Sequence, residues 1–380
     1  MAFPFSSTSS SLALLHRPAA CRLLISTDVD VLIAPSNHSD MDQRLNLRFI
    51  AELPAQLFEL VRETPLFGAL AGLGALWTVR QAYSLAAAIH VHFLHQSTIS
   101  QYCSSESNRS WALVTGASDG IGKGFVEELC QRGFNVVLHG RNEAKLNRLK
   151  DDLLKQWPQR ELRTLVIDAV LDARDTVKLE LAARSLDDIN LRILINNVGG
   201  GGMASSAFAT LTERTGAEVA GFIDMNATFP TEITRVMLPL LIRQPSALII
   251  TIGSGVSDIP LPYLSVYSGS KAYDRAWSQS LGVEMKAEGH RIETLFIMVG
   301  TCATSAMVGV EPSFFVPDGR RMAKSSLDVV GCGYSSISAC WPHHLQMAVI
   351  MALPEWLLQR FGVDMGKKER ALEQQRMRKE

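Results

Sequence analysis

From residue 111 onward, short continuous apolar runs alternate with longer stretches in which apolar positions recur every three or four residues. The runs Trp111–Val114, Asn135–His139, Arg163–Ile167, Leu191–Ile195, Ala247–Ile252 and Ile292–Val299 read as strands buried on both faces. The stretches Lys123–Arg132, Glu143–Trp157 and Glu218–Arg243 read as helices between them. Glycine or a polar residue follows each strand: Gly116, Gly140, Asp168, Asn196, Gly253 and Gly300. This alternation predicts an α/β, Rossmann-like doubly wound parallel sheet over residues 110–330, with its ligand crevice along the C-terminal edge of the strands. Residues 331–380 read as a C-terminal helical extension and charged tail. Within it, Leu345–Leu353 is too short to span a bilayer and reads as an interfacial or substrate-covering stretch, and Lys367–Glu380 reads as solvated.

Upstream the pattern differs. Between Leu66 and Leu94 there is no Asp or Glu, and the apolar run is broken by Arg80. A helix over residues 66–85 would leave Arg80 near one end, free to snorkel, so residues 63–109 are expected to form a membrane-anchor helix and linker, with membrane contact through residues 66–94. Arg80, His90, His92 and His95 keep an interfacial or buried helix as the alternative. Residues 1–62 read as a poorly structured or targeting lead. The first 27 are serine-rich, carry Arg17 and Arg22, and lack acids, which is the composition of an organelle transit peptide.

Composition removes two classes of function. A net charge of -1 and a pI near 6.8 supply no field for nucleic acid. Six scattered cysteines, with neither a CxxC nor a Cys/His pair at zinc spacing, read as reduced packing thiols, so no metal site is expected.

The candidate chemistry lies at the strand ends. Thr115-Gly116-Ala117-Ser118-Asp119-Gly120-Ile121-Gly122 stands between a strand and a helix, where glycines permit a tight turn and the helix N-terminus faces a pyrophosphate. The second strand ends at Arg141 rather than at an acid, which favours a 2'-phosphate and hence NADP (NADPH); the alternative is a surface loop charge. Asp168 and Asn196 end strands where a cofactor could be touched, and the loop Val299–Thr304, with Thr301 and Thr304, could close over it. Tyr267 and Lys271 lie four apart on one helix face, where an ammonium stabilises phenolate and lets the hydroxyl exchange a proton near neutral pH. Alone, that pair is equally a solvated helix face. Ser254 stands thirteen residues before Tyr267, and Asn226 is an amide in an otherwise apolar helix.

In this order the TGxxxGIG turn (Thr115–Gly122), NNVG (Asn196–Gly199), Ser254 with Tyr267-xxx-Lys271 and the loop ending at Thr304 resemble the short-chain dehydrogenase/reductase family over roughly residues 110–310. The resemblance implies Tyr267 as acid or base, Lys271 on the nicotinamide ribose, Ser254 on the carbonyl and Asn226 supporting a proton-relay water. TGASDGIGK, the apolar run before Trp111 and the LPEW tail are similar to the microsomal branch of very-long-chain 3-oxoacyl-CoA reductases and 17β-hydroxysteroid dehydrogenases of types 3 and 12. Departures are Val299-Gly300 for the usual Pro-Gly, Asp224 two before Asn226, Gly253 where serine is common, and the run Gly199–Gly202. The expectation is NADPH-dependent reduction of an apolar ketone, foremost a long-chain 3-oxoacyl-CoA, at the endoplasmic reticulum membrane facing the cytosol, or in an organelle if the lead is a transit peptide. The alternatives are a steroid or polyketide-like ketone and, more remotely, a non-catalytic NADP-binding scaffold. A homodimer is left open.

Overall fold

The computed structural model describes residues 64–103, 110–201, 206–305, 307 and 309–378; the lead over residues 1–62 lies outside them. The chain divides into two compact units, residues 1–80 and 81–380. In the first, the described residues belong to helix α1 (Pro65–Ile89), which continues into the second and buries none of its residues. Leu66, Leu70, Leu73, Leu76, Trp77 and Val79 are all exposed. The helix is present, but no helix among the described residues is long and apolar enough to cross a membrane. The expected span is therefore not met: Gly68, Gly72, Gly74, Thr78, Arg80, Gln81 and Ser84 dilute the run below what about 20 spanning residues require.

In the second unit, α1 ends in a π turn, His90–Leu94. The residues after it, read from the sequence as a polar linker, are stitched onto the domain. Ser97 Oγ donates to Leu327 O (2.5 Å), Thr98 N to Val330 O (3.1 Å), and the buried Tyr102 hydroxyl to Glu293 Oε2 (2.6 Å).

The strands are β1 (Ser110–Val114), β2 (Asn135–Gly140), β3 (Leu162–Val166), β4 (Asn190–Asn196), β5 (Ala247–Ile252), β6 (Ile292–Ile297) and β7 (Ser336–Ile337), in the order β3-β2-β1-β4-β5-β6-β7. All pairings are parallel. The two-residue β7 carries too little pattern to be read from sequence. Side chains alternate between the faces: Ala112, Val114, Val136 and Leu138 join one core with α2 (Gly120–Gln131), α3 (Glu143–Gln156) and α8 (Gly319–Asp328). Leu113, Val137 and Ile249 join the other with α4 (Thr176–Arg184), α6 (Phe229–Ile242) and α7 (Ser265–Ala287). Burial on both faces is why the strands read as continuous apolar runs. The order reverses between β1 and β4, so the crevice expected of a doubly wound sheet lies beyond their C-terminal ends.

Two features sharpen the edge of that crevice. Helices α2 and α8 meet through glycine: a Cβ on Gly124 would lie 2.4 Å from Gly319 O, and one on Gly319 would lie 2.3 Å from Gly120 O. After α5 (Gly216–Ile223) and α9 (Trp341–Met351), the last helix, α10 (Glu355–Met377), is packed at Gly362 and Gly366 and mostly exposed from Lys367 on. Cβ atoms on Gly362 and Gly366 would meet Pro260 O at 2.4 Å and Pro262 Cγ at 2.6 Å. Glu373 accepts from Ser206 Oγ (2.6 Å), Ala207 N (2.7 Å) and Phe208 N (3.1 Å), and so ties α10 to the loop that follows β4.

Candidate active site

The ends of β1 and β4 are joined first. Thr115 Oγ1 donates to Ile195 O (3.1 Å) and accepts from Asn197 N (2.8 Å) and Val198 N (3.1 Å), while Asn197 Nδ2 donates to Thr115 O (2.9 Å). The Thr115 hydroxyl is therefore committed to the switch point itself. Beyond it, Gly116 (φ 65°) and Gly120 (φ 50°) take the left-handed conformation that a side chain strains. A Cβ on Gly122 would lie 2.1 Å from Gly116 O, so the turn closes directly onto the start of α2. Asp119 caps α2 by accepting from Gly120 N (2.7 Å), and pairs with Lys145 (2.7 Å). Partial burial opposes its charge, but Lys145, Ser305 and the Gly120 N–H hold its carboxyl below the usual range. Ser118 is half-buried on the turn, and Ile121 packs into the core.

The other expected cofactor residues separate into two groups. Arg141, at the end of β2, is exposed and has no hydrogen bond or ion pair among the described residues. Thr304 lies over the glycine turn, 3.1 Å from where a Gly120 Cβ would be. By contrast, the Asn196 side chain is turned into the interior, donating to Thr234 Oγ1 (2.8 Å) on α6. Asp168 Oδ1 accepts from Val170 N (2.8 Å) and Leu171 N (3.1 Å) and so shapes its own turn.

At the other end of the crevice the structure gathers four expected groups. Ser254 follows β5 and caps a short turn, its Oγ accepting from Val256 N (3.4 Å). Tyr267 and Lys271 share the first turns of α7. Lys271 is 3% exposed, and its Nζ donates to Ile252 O (3.1 Å) and Asp274 Oδ2 (3.0 Å). Although burial works against its charge, the Asp274 carboxylate and the Tyr267 phenolate hold the ammonium above the usual lysine range. Asn226 sits in a π turn, Asp224–Thr228, with both donors of its carboxamide engaged: Nδ2 donates to Gly200 O and Phe222 O (3.0 Å each), and Oδ1 accepts from Gly200 N (2.9 Å). Its bond to the carbonyl four residues back competes with the helical ladder at the place where the ladder widens. A Cβ on Gly199 would lie 2.9 Å from both Asn226 Oδ1 and Lys271 Nζ, so this glycine lets the loop after β4 settle onto both.

Three residues of this region were not legible as functional. Asp274, one helical turn beyond Lys271, could have been found from its i,i+3 spacing. His139, at the end of β2, is fully buried; its Nδ1 accepts from Gly116 N (3.3 Å), and burial lowers its pKa to about 4, so it supports the glycine turn as a neutral ring. His343 on α9 bonds the loop after β6.

The short chain dehydrogenase family model matches residues 110–312. The chain belongs to that family, and it is an oxidoreductase. It is 32% identical over 281 residues to the very-long-chain 3-oxoacyl-CoA reductase of Neurospora crassa, covering 73% of this chain and 81% of that one. It is 33% identical over 272 residues to the protein of the same name from Pyricularia oryzae, covering 71% and 79%. A solved short-chain dehydrogenase from Sphingobium yanoikuyae in complex with NADPH matches with a TM-score of 0.50 at 25% identity, covering 57% of this chain and 82% of that one. A 7beta-hydroxysteroid dehydrogenase matches in fold, with a TM-score of 0.58 at 18% identity, covering 70% and 98%.

The departures from the family pattern have local causes. Gly253 is required because a Cβ there would fall 1.8 Å from Phe296 Cζ. Asp224 is ion-paired with Arg174 (2.7 Å) and accepts from Thr228 Oγ1 (3.0 Å), which fixes the π turn that carries Asn226. Gly253→Ser is therefore expected to cost about 1–3 kcal/mol through overpacking. In thermal unfolding, the double variant Gly253→Ser/Phe296→Leu should be more stable than the sum of the single changes; simple additivity would show that Phe296 is not the obstacle.

Proposed function

We propose that this chain is an NADPH-dependent reductase of a ketone on a long apolar substrate, foremost a 3-oxoacyl-CoA, with Tyr267 as proton donor. The observation that carries the reading is the buried Lys271 ammonium with the Tyr267 phenol in its field, beside Ser254 at the end of β5. The residues present fit NADP. The glycine turn Gly116–Gly122 precedes the N-terminus of α2, where backbone N–H groups suit a pyrophosphate, and Arg141, without a partner among the described residues, suits a 2'-phosphate. Asp168 would meet the adenine end of the cofactor, the Val299–Thr304 loop its nicotinamide end, and Tyr267 and Lys271 its ribose. The nicotinamide, when bound, supplies the hydride.

Every other role belongs to the chain's own groups. Ser254 Oγ holds the carbonyl oxygen and favours the developing alkoxide. Tyr267 donates its proton to that oxygen, and Lys271 stabilises the phenolate left behind. Asn226 holds Gly200 and the π turn, with both Nδ2 hydrogens and one Oδ1 lone pair engaged. The acyl-CoA class is supported by the relatives' names and by the packed α10, which joins the loops at residues 206–208 and 260–262 near Tyr267. We further propose that α1, whose Leu70, Leu73, Leu76 and Trp77 are exposed, lies on a lipid surface, with the endoplasmic reticulum membrane and a cytosolic catalytic domain as the setting.

Tyr267→Phe is expected to reduce turnover of a long-chain 3-oxoacyl-CoA by roughly 10²–10⁴-fold while leaving NADPH binding close to wild type. Retained turnover would overturn the role of Tyr267, and a wild-type preference for a ketosteroid over a 3-oxoacyl-CoA chain-length series would overturn the substrate. Arg141→Asp should raise the KM for NADPH far more than that for NADH; an unchanged ratio would make Arg141 a bystander. In flotation with phospholipid vesicles, full-length protein should rise with the lipid and lose that behaviour when Leu70, Leu73 and Trp77 are changed to serine; equal flotation of both forms would remove α1 from the membrane.

A further inference from the structure

The loop between β6 and α8 is held at three places. Val299 O accepts from Gly255 N (2.9 Å), next to Ser254; Ala303 N donates to Pro317 O (2.9 Å); and Thr304 rests over Gly120. Between these supports, the loop backbone bonds a single side chain of the C-terminal extension among the described residues. His343, 1% exposed in the first turn of α9, accepts from Gly300 N through Nδ1 (3.2 Å) and meets Thr301 O with Nε2 (3.1 Å). These partners have opposite polarity, so only the neutral imidazole with its hydrogen on Nε2 satisfies both. The ring also lies close to the loop: a Cβ at Gly300 would stand 3.0 Å from it.

We infer that His343 is a positioning residue of the reductase: a neutral imidazole that fixes the cofactor loop Val299–Thr304 to helix α9 and so sets NADP affinity. The inference rests on the NADPH reading above. Its chemical consequence is directional. A proton on Nδ1 would turn an N–H against the Gly300 N–H and remove the clamp, leaving only the bond to Thr301. Burial opposes that protonation and lowers the His343 pKa, with the Thr301 and Phe315 backbone acting in the other direction and the Arg321 guanidinium on α8 again lowering it. Cys340 before α9, Cys302 on the loop with the Asp318 carboxylate near it, and His344 with the His92 ring against it are the titratable neighbours; burial holds both thiols protonated and lowers the pKa of both histidines. No carboxylate bonds His343 among the described residues. The clamp is therefore present at neutral pH and lost as pH falls through a value below the ordinary histidine pKa of about 6.5.

The test is NADP⁺ binding to the full-length protein, by calorimetry at pH 7.5 and at acid pH, for wild type, His343→Gln and His343→Ala. Gln can accept and donate at both positions without titrating. It should keep near wild-type affinity at pH 7.5 and lose less affinity on acidification than wild type. Ala should bind about tenfold more weakly, as expected for two lost hydrogen bonds, with a KM for NADPH raised much more than kcat is lowered. Other groups titrate alike in all three proteins, so the difference between wild type and Gln is the readout. If Ala fails to fold, identical acid losses in wild type and Gln overturn the inference. Wild type that binds NADP⁺ alongside indifferent variants overturns it alone, and wild type that binds none overturns the proposed function with it.

Discussion

A lysine ammonium that is 3% exposed must be given an anion and hydrogen-bond acceptors inside the protein, and the catalytic end of this fold is arranged by that demand. Lys271 finds Asp274 on its own helix and the carbonyl of Ile252, the last residue of β5. The second bond fastens α7 to the strand end that carries Ser254. The approach of the loop after β4 is then limited to a residue without a side chain, Gly199, and the next residue is held by Asn226. Removing Asp274 would leave an uncompensated buried charge, a loss of about 3–5 kcal/mol in comparable pairs. Tyr267 inherits its place from this network rather than making it.

The cofactor end is governed by a different economy, that of backbone groups. Turns that leave the sheet expose N–H groups that need partners, and here neutral imidazoles supply two of them: His139 beneath Gly116 and His343 beside Gly300. Thr115 and Asn197 close the switch point by the same means. Side chains at strand ends are therefore divided between holding the loops and meeting a ligand, and Arg141 is the charged one left without an internal partner among the described residues. Gly253, which departs from the family pattern, and Gly300, which keeps it, both lie against a ring, Phe296 at the first and His343 at the second.

Much of this was legible beforehand. Strand and helix order, the crevice edge, the glycine turn and the Ser254, Tyr267 and Lys271 set all appear in the structure close to where periodicity and spacing placed them. What was not legible shares one cause. Asn196 and Asp168 end the strands expected of them, but the direction of their side chains depends on Thr234 and on the turn at Val170. The packing of α10 went unread because it is made by two glycines ahead of the charged tail and one glutamate within it, which carry no apolar pattern. The stretch before Trp111 contained a helix, as read, but its glycine and polar content kept it from being a membrane span.

The sequence by itself determined what is local: where chain segments are helical or extended, where only glycine can turn, and which groups lie a fixed number of residues apart on one helix. Those properties depend on neighbours along the chain, and each is encoded there. Only the tertiary structure decided which polar side chains face the crevice and which support it, because those choices are made by partners such as His343 and Gly300, or Glu373 and Ala207, that are distant in sequence. Packing brings such pairs together, and no periodicity in either segment records the meeting.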